Sequence, residues 1–213
     1  MYIFSMENPF FRFVGKVTDL VWLNILTLIC ALPVVTAGAA FTAMYRVLIK
    51  MAVGEEGTVT SVFFKEFKGS LKKATPVWML AFCVLVVLLS NAYLIYQGAL
   101  DKLGGLFIPA GISIGLILIF VIVFLQYFFA ILSRYKTDVK NAARNAALLI
   151  FAFFPKTVCI LIISFLPVVL MMTSNYFVWF WFLYGFSFSG YFIAMIIGSI
   201  FTGLEEKEEK AGA

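Results

Sequence analysis

Histidine is absent from this chain, cysteine occurs three times, and charged residues make up only 13% of its 213 positions. Without histidine, the chain lacks the commonest general base near neutral pH and the commonest transition-metal ligand. Cys30, Cys83 and Cys159 each sit inside an apolar run. That number and setting exclude a disulfide framework and read as small buried apolar side chains. A soluble domain carries about 25% charge. The scarcity here is also uneven. No Asp, Glu, Lys or Arg occurs in residues 20–45, 74–100, 103–133 or 157–204.

These gaps set the class. About 20 apolar residues cross about 30 Å of hydrocarbon, and the last gap is long enough for two crossings. The runs are apolar on every side, which excludes the alternating strands of a membrane barrel. The expected fold is all-α: a polytopic transmembrane helical bundle of about five spans, near 20–36, 76–97, 106–133, 155–172 and 176–201. These form one membrane domain over 1–203, and the acidic tail 204–213 is expected to be disordered.

The connections carry the charge. Asn8-Pro9 suits a helix start, and the segment to Asp19 reads as an interfacial amphipathic helix. Segment 60–73 interleaves Phe63, Phe64, Phe67 and Leu71 with Lys65, Lys68, Lys72 and Lys73, again as a surface helix, and Pro76 then opens a span. A second basic segment follows Arg134 and reads as a helix over 137–153, before Pro155 opens the next span. The order of basic helix, Pro, span, turn and span therefore occurs twice, near 60–133 and 137–201, as a candidate parallel repeat.

Segment 46–73 holds six basic and three acidic residues, and 134–156 holds five basic and one acidic. The positive-inside rule puts both in the cytoplasm. Five spans then place the N-terminus outside and the C-terminus inside. An even count, with the first run bent into a hairpin near Pro33 and both termini inside, is the alternative. The aromatic cluster from Tyr176 to Tyr184 fits an outer interfacial belt.

Gly111 and Gly115, and Gly190, Ala194 and Gly198, repeat at one-turn spacing. Such faces serve helix packing or partner docking. Asn24, Asn91 and Gln126 are intramembrane amides that either pair between helices or line a polar path. Phe64, Phe67, Lys68, Lys140 and Arg144 are candidates for docking a cytoplasmic partner. No ionisable group lies in a span, which argues against proton-coupled transport. Gly54-Glu55-Glu56-Gly57 lacks the lysine of a phosphate loop, and no carboxylates cluster within a span. No catalytic, cofactor-binding or metal-binding residue is assigned, and the chain is not expected to be an enzyme or to bind nucleic acid.

Asn8-Pro9-Phe10 with Phe13, the core Pro33-Val34-Val35-Thr36-Ala37-Gly38, the stretch 63–68, Asn141-Ala142-Ala143-Arg144-Asn145-Ala146 and Phe154-Pro155-Lys156-Thr157 together resemble the bacterial YesL family. Pro33, Thr36, Gly38 and Pro155 are the most family-like positions. The resemblance implies a small multi-pass protein of the bacterial plasma membrane. It also implies an accessory role beside permease or ATPase subunits of an ATP-driven carbohydrate importer. A facilitator or exporter with its own polar path is one alternative, and a sensor or scaffold for a histidine kinase is another. Neither the ligand nor the oligomeric state follows from the sequence.

Overall fold

The computed structural model describes residues 9–55, 57–96, 107–135, 137–173 and 176–212. Among these, seven α-helices and one 3-10 turn account for the regular structure: α1 (Pro9–Ala31), the turn Val34–Thr36, α2 (Ala37–Val53), α3 (Val59–Tyr96), α4 (Phe107–Arg134), α5 (Val139–Ala152), α6 (Phe154–Thr173) and α7 (Tyr176–Gly212). The all-α membrane bundle is therefore confirmed. Helices α1, α2, α3, α4 and α7 are each long and apolar enough to cross a bilayer. Helix α6 meets that test together with α5, from which it bends by 99°.

The first apolar run differs from expectation. In place of one span over 20–36, the chain folds back at Leu32 and Pro33 and returns as α2, as in the even-count alternative. Pro33 cannot continue a helix hydrogen-bond ladder. The Thr36 hydroxyl donates to the Cys30 carbonyl (2.7 Å), which the break leaves without a helical partner, and lies 2.9 Å from the Pro33 carbonyl, which also accepts from the Thr36 backbone N–H. Lys16 and Asp19 of α1 line one cavity with Lys50, Gly54 and Glu55 from the far end of α2, so the two helices are antiparallel. Glu55 is within electrostatic reach of Arg134 at the end of α4, and Arg134 pairs with Glu205 of α7 at 2.7 Å. The described N-terminal part thus shares one end of the bundle with the basic segments and the acidic tail. The odd count would have placed it opposite.

Three further boundaries change. No breaker separates the expected interfacial helix ending at Asp19 from the span after it, and α1 runs through both. The surface helix 60–73 and the span after Pro76 form the single helix α3. The tail expected to be disordered extends α7 to Gly212. The residue Asn8, the loop 98–105 and the turn 174–175 lie outside the described residues, as do the side chains of the aromatic cluster 176–184.

Helix α2 is the most enclosed element. Ala37, Gly38, Ala39, Ala40 and Ala43 are buried, and Ala39, Ala40 and Ala43 share one apolar cluster with Leu23 and Leu26 of α1, Phe63 and Ala74 of α3, Phe128 and Phe129 of α4, and Ile193 and Ile197 of α7. In a bilayer no hydrophobic effect drives helices together, so van der Waals packing carries the association and small residues favour it. Gly38 shows how close the approach is. A Cβ there would lie 2.5 Å from the Trp78 Cβ and 3.0 Å from the Ala74 carbonyl oxygen. The outward halves of α3, α4 and α6 instead expose Leu80, Val87, Leu116, Phe120, Ile162 and Val169. An apolar surface of this extent belongs in lipid.

Candidate functional site

Two regions bring together groups with chemistry. The first is a cavity of about 290 Å³ between α2, α3, α4, α6 and α7. Phe41, Trp78, Phe129 and Phe186 supply its walls, with Phe41 at ring centroid distances of 5.7, 6.2 and 5.9 Å from the other three. Their polar counterparts are Tyr45, Gln126, Ser164 and Ser189. The Gln126 amide donates to the Ser164 hydroxyl at 2.8 Å, and Ser164 donates to the Ile160 carbonyl at 2.7 Å. The Gln126 carbonyl oxygen is buried with no partner among the described residues. Tyr45 is 4% exposed, and its hydroxyl makes no hydrogen bond among the described residues. Unpaired polar groups of this kind are costly in hydrocarbon, where no water can replace the missing partner.

The second region is the charged end of the bundle. Arg134 donates twice to the Glu205 carboxylate, at 3.1 and 2.7 Å, and its guanidinium lies 5.7 Å from the Phe201 ring centre. Tyr135 donates to the same carboxylate at 2.7 Å. Lys50 pairs with Glu55 at 2.9 Å, and that bond, with Arg46 and Arg134 nearby, holds the Glu55 carboxyl below its ordinary range. Lys73 donates to the Thr137 carbonyl at 3.1 Å, joining the middle of α3 to the start of α5. Helix α5 packs Ala142, Ala146 and Ile150 inward. It leaves Lys140, Arg144, Leu148 and Phe151 exposed.

The sequence candidates divide between these places. Of the amides, only Gln126 lines the cavity. Asn24 is fully buried between α1 and α7 and accepts from the Ser187 backbone N–H at 3.3 Å, whereas Asn91 is exposed and donates to the Val87 carbonyl of its own helix. The three do not form one polar path. Gly190 packs on Leu48 and Met44, and Ala194 is fully buried, so this face is used inside the chain. No described atom approaches within 4 Å of a Cβ built at Gly111, Gly115 or Gly198. Phe67 stacks on Phe63, whereas Phe64 and Lys68 stay exposed. Cys83 and Cys159 face outward rather than inward as expected, and Cys30 is half-buried. No three His, Cys, Asp or Glu side chains converge on a metal position among the described residues.

Pro33, Thr36 and Gly38 serve one structural purpose, turning α1 into α2 and seating α2 on α3. The Trp78 indole completes this join by donating to the Val34 carbonyl at 2.7 Å. Pro155 begins α6 beside Thr157, whose hydroxyl is shared between the Ile150 (3.2 Å) and Phe153 (3.1 Å) carbonyls and lies 3.1 Å from the Tyr127 hydroxyl. Sequence reasoning missed the role of Tyr45 and the Arg134–Glu205 pair. It also missed the packing stripe on α2, whose signal was present in the run Ala37-Gly38-Ala39-Ala40.

Residues 20–92 match the family described as "Protein of unknown function, DUF624". This is roughly a third of the chain, and it spans most of the α1–α2 hairpin and of α3. No curated protein and no solved structure matches.

Proposed function

We propose that this chain is a non-catalytic membrane protein of the YesL type that assists an ATP-driven carbohydrate importer, with α5 as its docking helix. The matched DUF624 segment supports the family reading, since YesL proteins carry that segment. One observation carries the docking reading. Helix α5 is anchored by its alanine face, stands at 99° to α6, and presents Lys140, Arg144, Leu148 and Phe151 outward. With α6 crossing the bilayer, α5 lies along the membrane surface. A rigid transverse helix with two cations and two apolar residues fits an acidic, grooved partner such as a transporter ATPase. The excess of Lys and Arg supports a cytoplasmic position for this end and both termini, and the family reading supports a bacterial plasma membrane.

Affinity purification of the full chain from native membranes in mild detergent tests the proposal. Permease or ATPase subunits should co-purify, and the double variant K140E/R144E should reduce their recovery about fivefold or more without changing membrane insertion. This is the scale expected from reversing rim charges. Consistent failure to recover any such subunit overturns it. The reading of a facilitator with its own path draws on the Gln126 cavity, but it loses the contribution assigned to Asn24 and Asn91. Sugar flux into proteoliposomes containing this chain alone would favour it.

A further inference from the structure

The docking reading leaves the intramembrane cavity without a role. Its composition is specific. Four aromatic rings line this half-open cavity and no charged residue does; the Gln126 carbonyl is buried without a partner among the described residues, and the Tyr45 hydroxyl makes no hydrogen bond among them. The hydroxyls of Ser164 and Ser189 are committed to carbonyls of their own helices. The unmet capacity is therefore one O–H that can donate and one carbonyl that can accept. A bilayer supplies no bulk water to meet either. Both needs are met by a single alcohol, because a hydroxyl accepts and donates at once. The lining carries no carboxylate to balance a cation and no Lys or Arg to balance an anion, so its unmet hydrogen-bonding capacity suits a neutral group.

We infer that the cavity binds one neutral hydroxyl group on an apolar body, with the hydroxyl accepting from Tyr45 and donating to Gln126. The amide reaches it by turning about χ3, a broad torsion in glutamine, and gives up its bond to Ser164 in exchange. At about 30 Å³ per atom, 290 Å³ holds roughly ten non-hydrogen atoms. That suits either a small alcohol or the hydroxylated head of a neutral lipid with its first methylenes. Phe41, Trp78, Phe129 and Phe186 take up the apolar part. This inference does not rest on the docking reading and survives its failure.

The test uses the full chain in phosphatidylglycerol nanodiscs, with a diazirine-bearing octanol as photoprobe and the matching diazirine-bearing octane as its hydroxyl-free twin. Mass spectrometry reads the labelling of peptides from α2 and α4. The octanol probe should label them about threefold to tenfold more than the octane probe, the ratio one net hydrogen bond supplies. Y45F and Q126M should each lower the preference, and the double variant should bring the two probes to parity. The comparison of probes in the unaltered chain holds even where a variant fails to fold. Displacement of the octanol probe by dioleoylglycerol assigns a lipid-borne hydroxyl, and displacement by glycerol assigns a solute. Equal labelling by the two probes, preference undiminished in both folded variants, or no displacement by either competitor overturns the inference.

Discussion

Residues 72–76 and 152–155 have the same local grammar, a basic amphipathic helix running into a proline, yet the chain treats them in opposite ways. At Pro76 helix α3 continues unbroken from Val59 to Tyr96. At Pro155 the chain has already stopped at Phe153, with φ −119° and ψ 44°, and restarts as α6 at 99°. A proline inside a helix removes one hydrogen bond and clashes with the carbonyl four residues back, at a cost of about 3 kcal/mol. What differs is the surroundings. α3 is supported by α2, whose Gly38 rests on Ala74 and Trp78 on either side of the proline. α5 has its own support on α4, and Thr157 bridges the bend, its hydroxyl reaching the Ile150 carbonyl while the Phe153 carbonyl takes its backbone N–H. Tertiary packing, not the proline, decides whether the helix breaks.

The largest effect should come from removing the support of α3. Gly38→Leu places a side chain where even a Cβ would overlap Trp78, so α2 must lift from α3. A loss of about 3 kcal/mol is expected, at the upper end of overpacking costs. It should appear as a lower midpoint in thermal unfolding in detergent, together with a new bend at Pro76. That bend can be read from spin-label distances between positions 65 and 88. An unchanged midpoint would show that the close approach at Gly38 is not what supports α3.

Next in size is Thr157→Val, which preserves shape and deletes the hydroxyl. It leaves the Ile150 carbonyl without that donor and the Tyr127 hydroxyl without its partner, while the Phe153 carbonyl keeps the backbone N–H of residue 157. Stranding buried polar groups costs about 1–3 kcal/mol. The distance between positions 141 and 166 should broaden as the bend loses its definition. A sharp, unshifted distance would place the cause of the bend elsewhere.

Exchanging the prolines should do less than either change. Pro155 is the second residue of α6, where its missing N–H would have no helical acceptor in any case. Pro155→Ala should therefore keep the 99° bend and change stability by less than about 1 kcal/mol. Pro76→Ala restores an interior hydrogen bond but also frees the unfolded chain, so a gain of about 1 kcal/mol is expected. If Pro155→Ala straightens α5 onto α6, the proline sets that bend after all, and the contrast with Pro76 becomes one of sequence.

These examples show what the residues could and could not announce. The uncharged runs fixed the membrane helices because the cost of charge in lipid acts on each segment separately. The two proline junctions were read alike because their difference lies across the bundle, in Gly38 and Thr157. Gly111 with Gly115 and Gly190 with Ala194 have the same spacing. Only the second pair finds a neighbour, and spacing alone carries no information about neighbours. Ala37 to Ala40 fall past the expected end of the first span at residue 36, in a stretch that Arg46 and Lys50 mark as leaving the bilayer. Their burial depends on α2 lying between α1 and α3. The cavity was the least legible, since Tyr45, Gln126 and the four aromatics come from four helices far apart in sequence. Tyr45 itself reads as one more aromatic in an apolar run.

The smallest effect tests the far end of the support, where the α2–α3 connection closes. Gly54 there adopts φ +78°, a left-handed conformation that glycine takes without a Cβ penalty, and Lys50 reaches over to Glu55. The bond from Lys50 and the neighbouring arginines hold Glu55 ionised to lower pH than in the unfolded chain. Its contribution to stability is therefore complete above the ordinary carboxylate value and disappears as pH falls through the depressed folded value. Glu55 is exposed and Lys50 only half-buried, so the contribution is roughly 0–1 kcal/mol, reduced further by salt. Unfolding midpoints measured from pH 6 down to pH 3 should fall slightly more steeply for the native chain than for Glu55→Gln, with the two curves converging at the acid end. Parallel curves would mean that the connection is held by Gly54 and the backbone bond from Glu55 N–H to the Lys50 carbonyl alone. In that case the support of α3 would owe nothing to charge, and Pro76 would be kept straight by packing at Gly38 only.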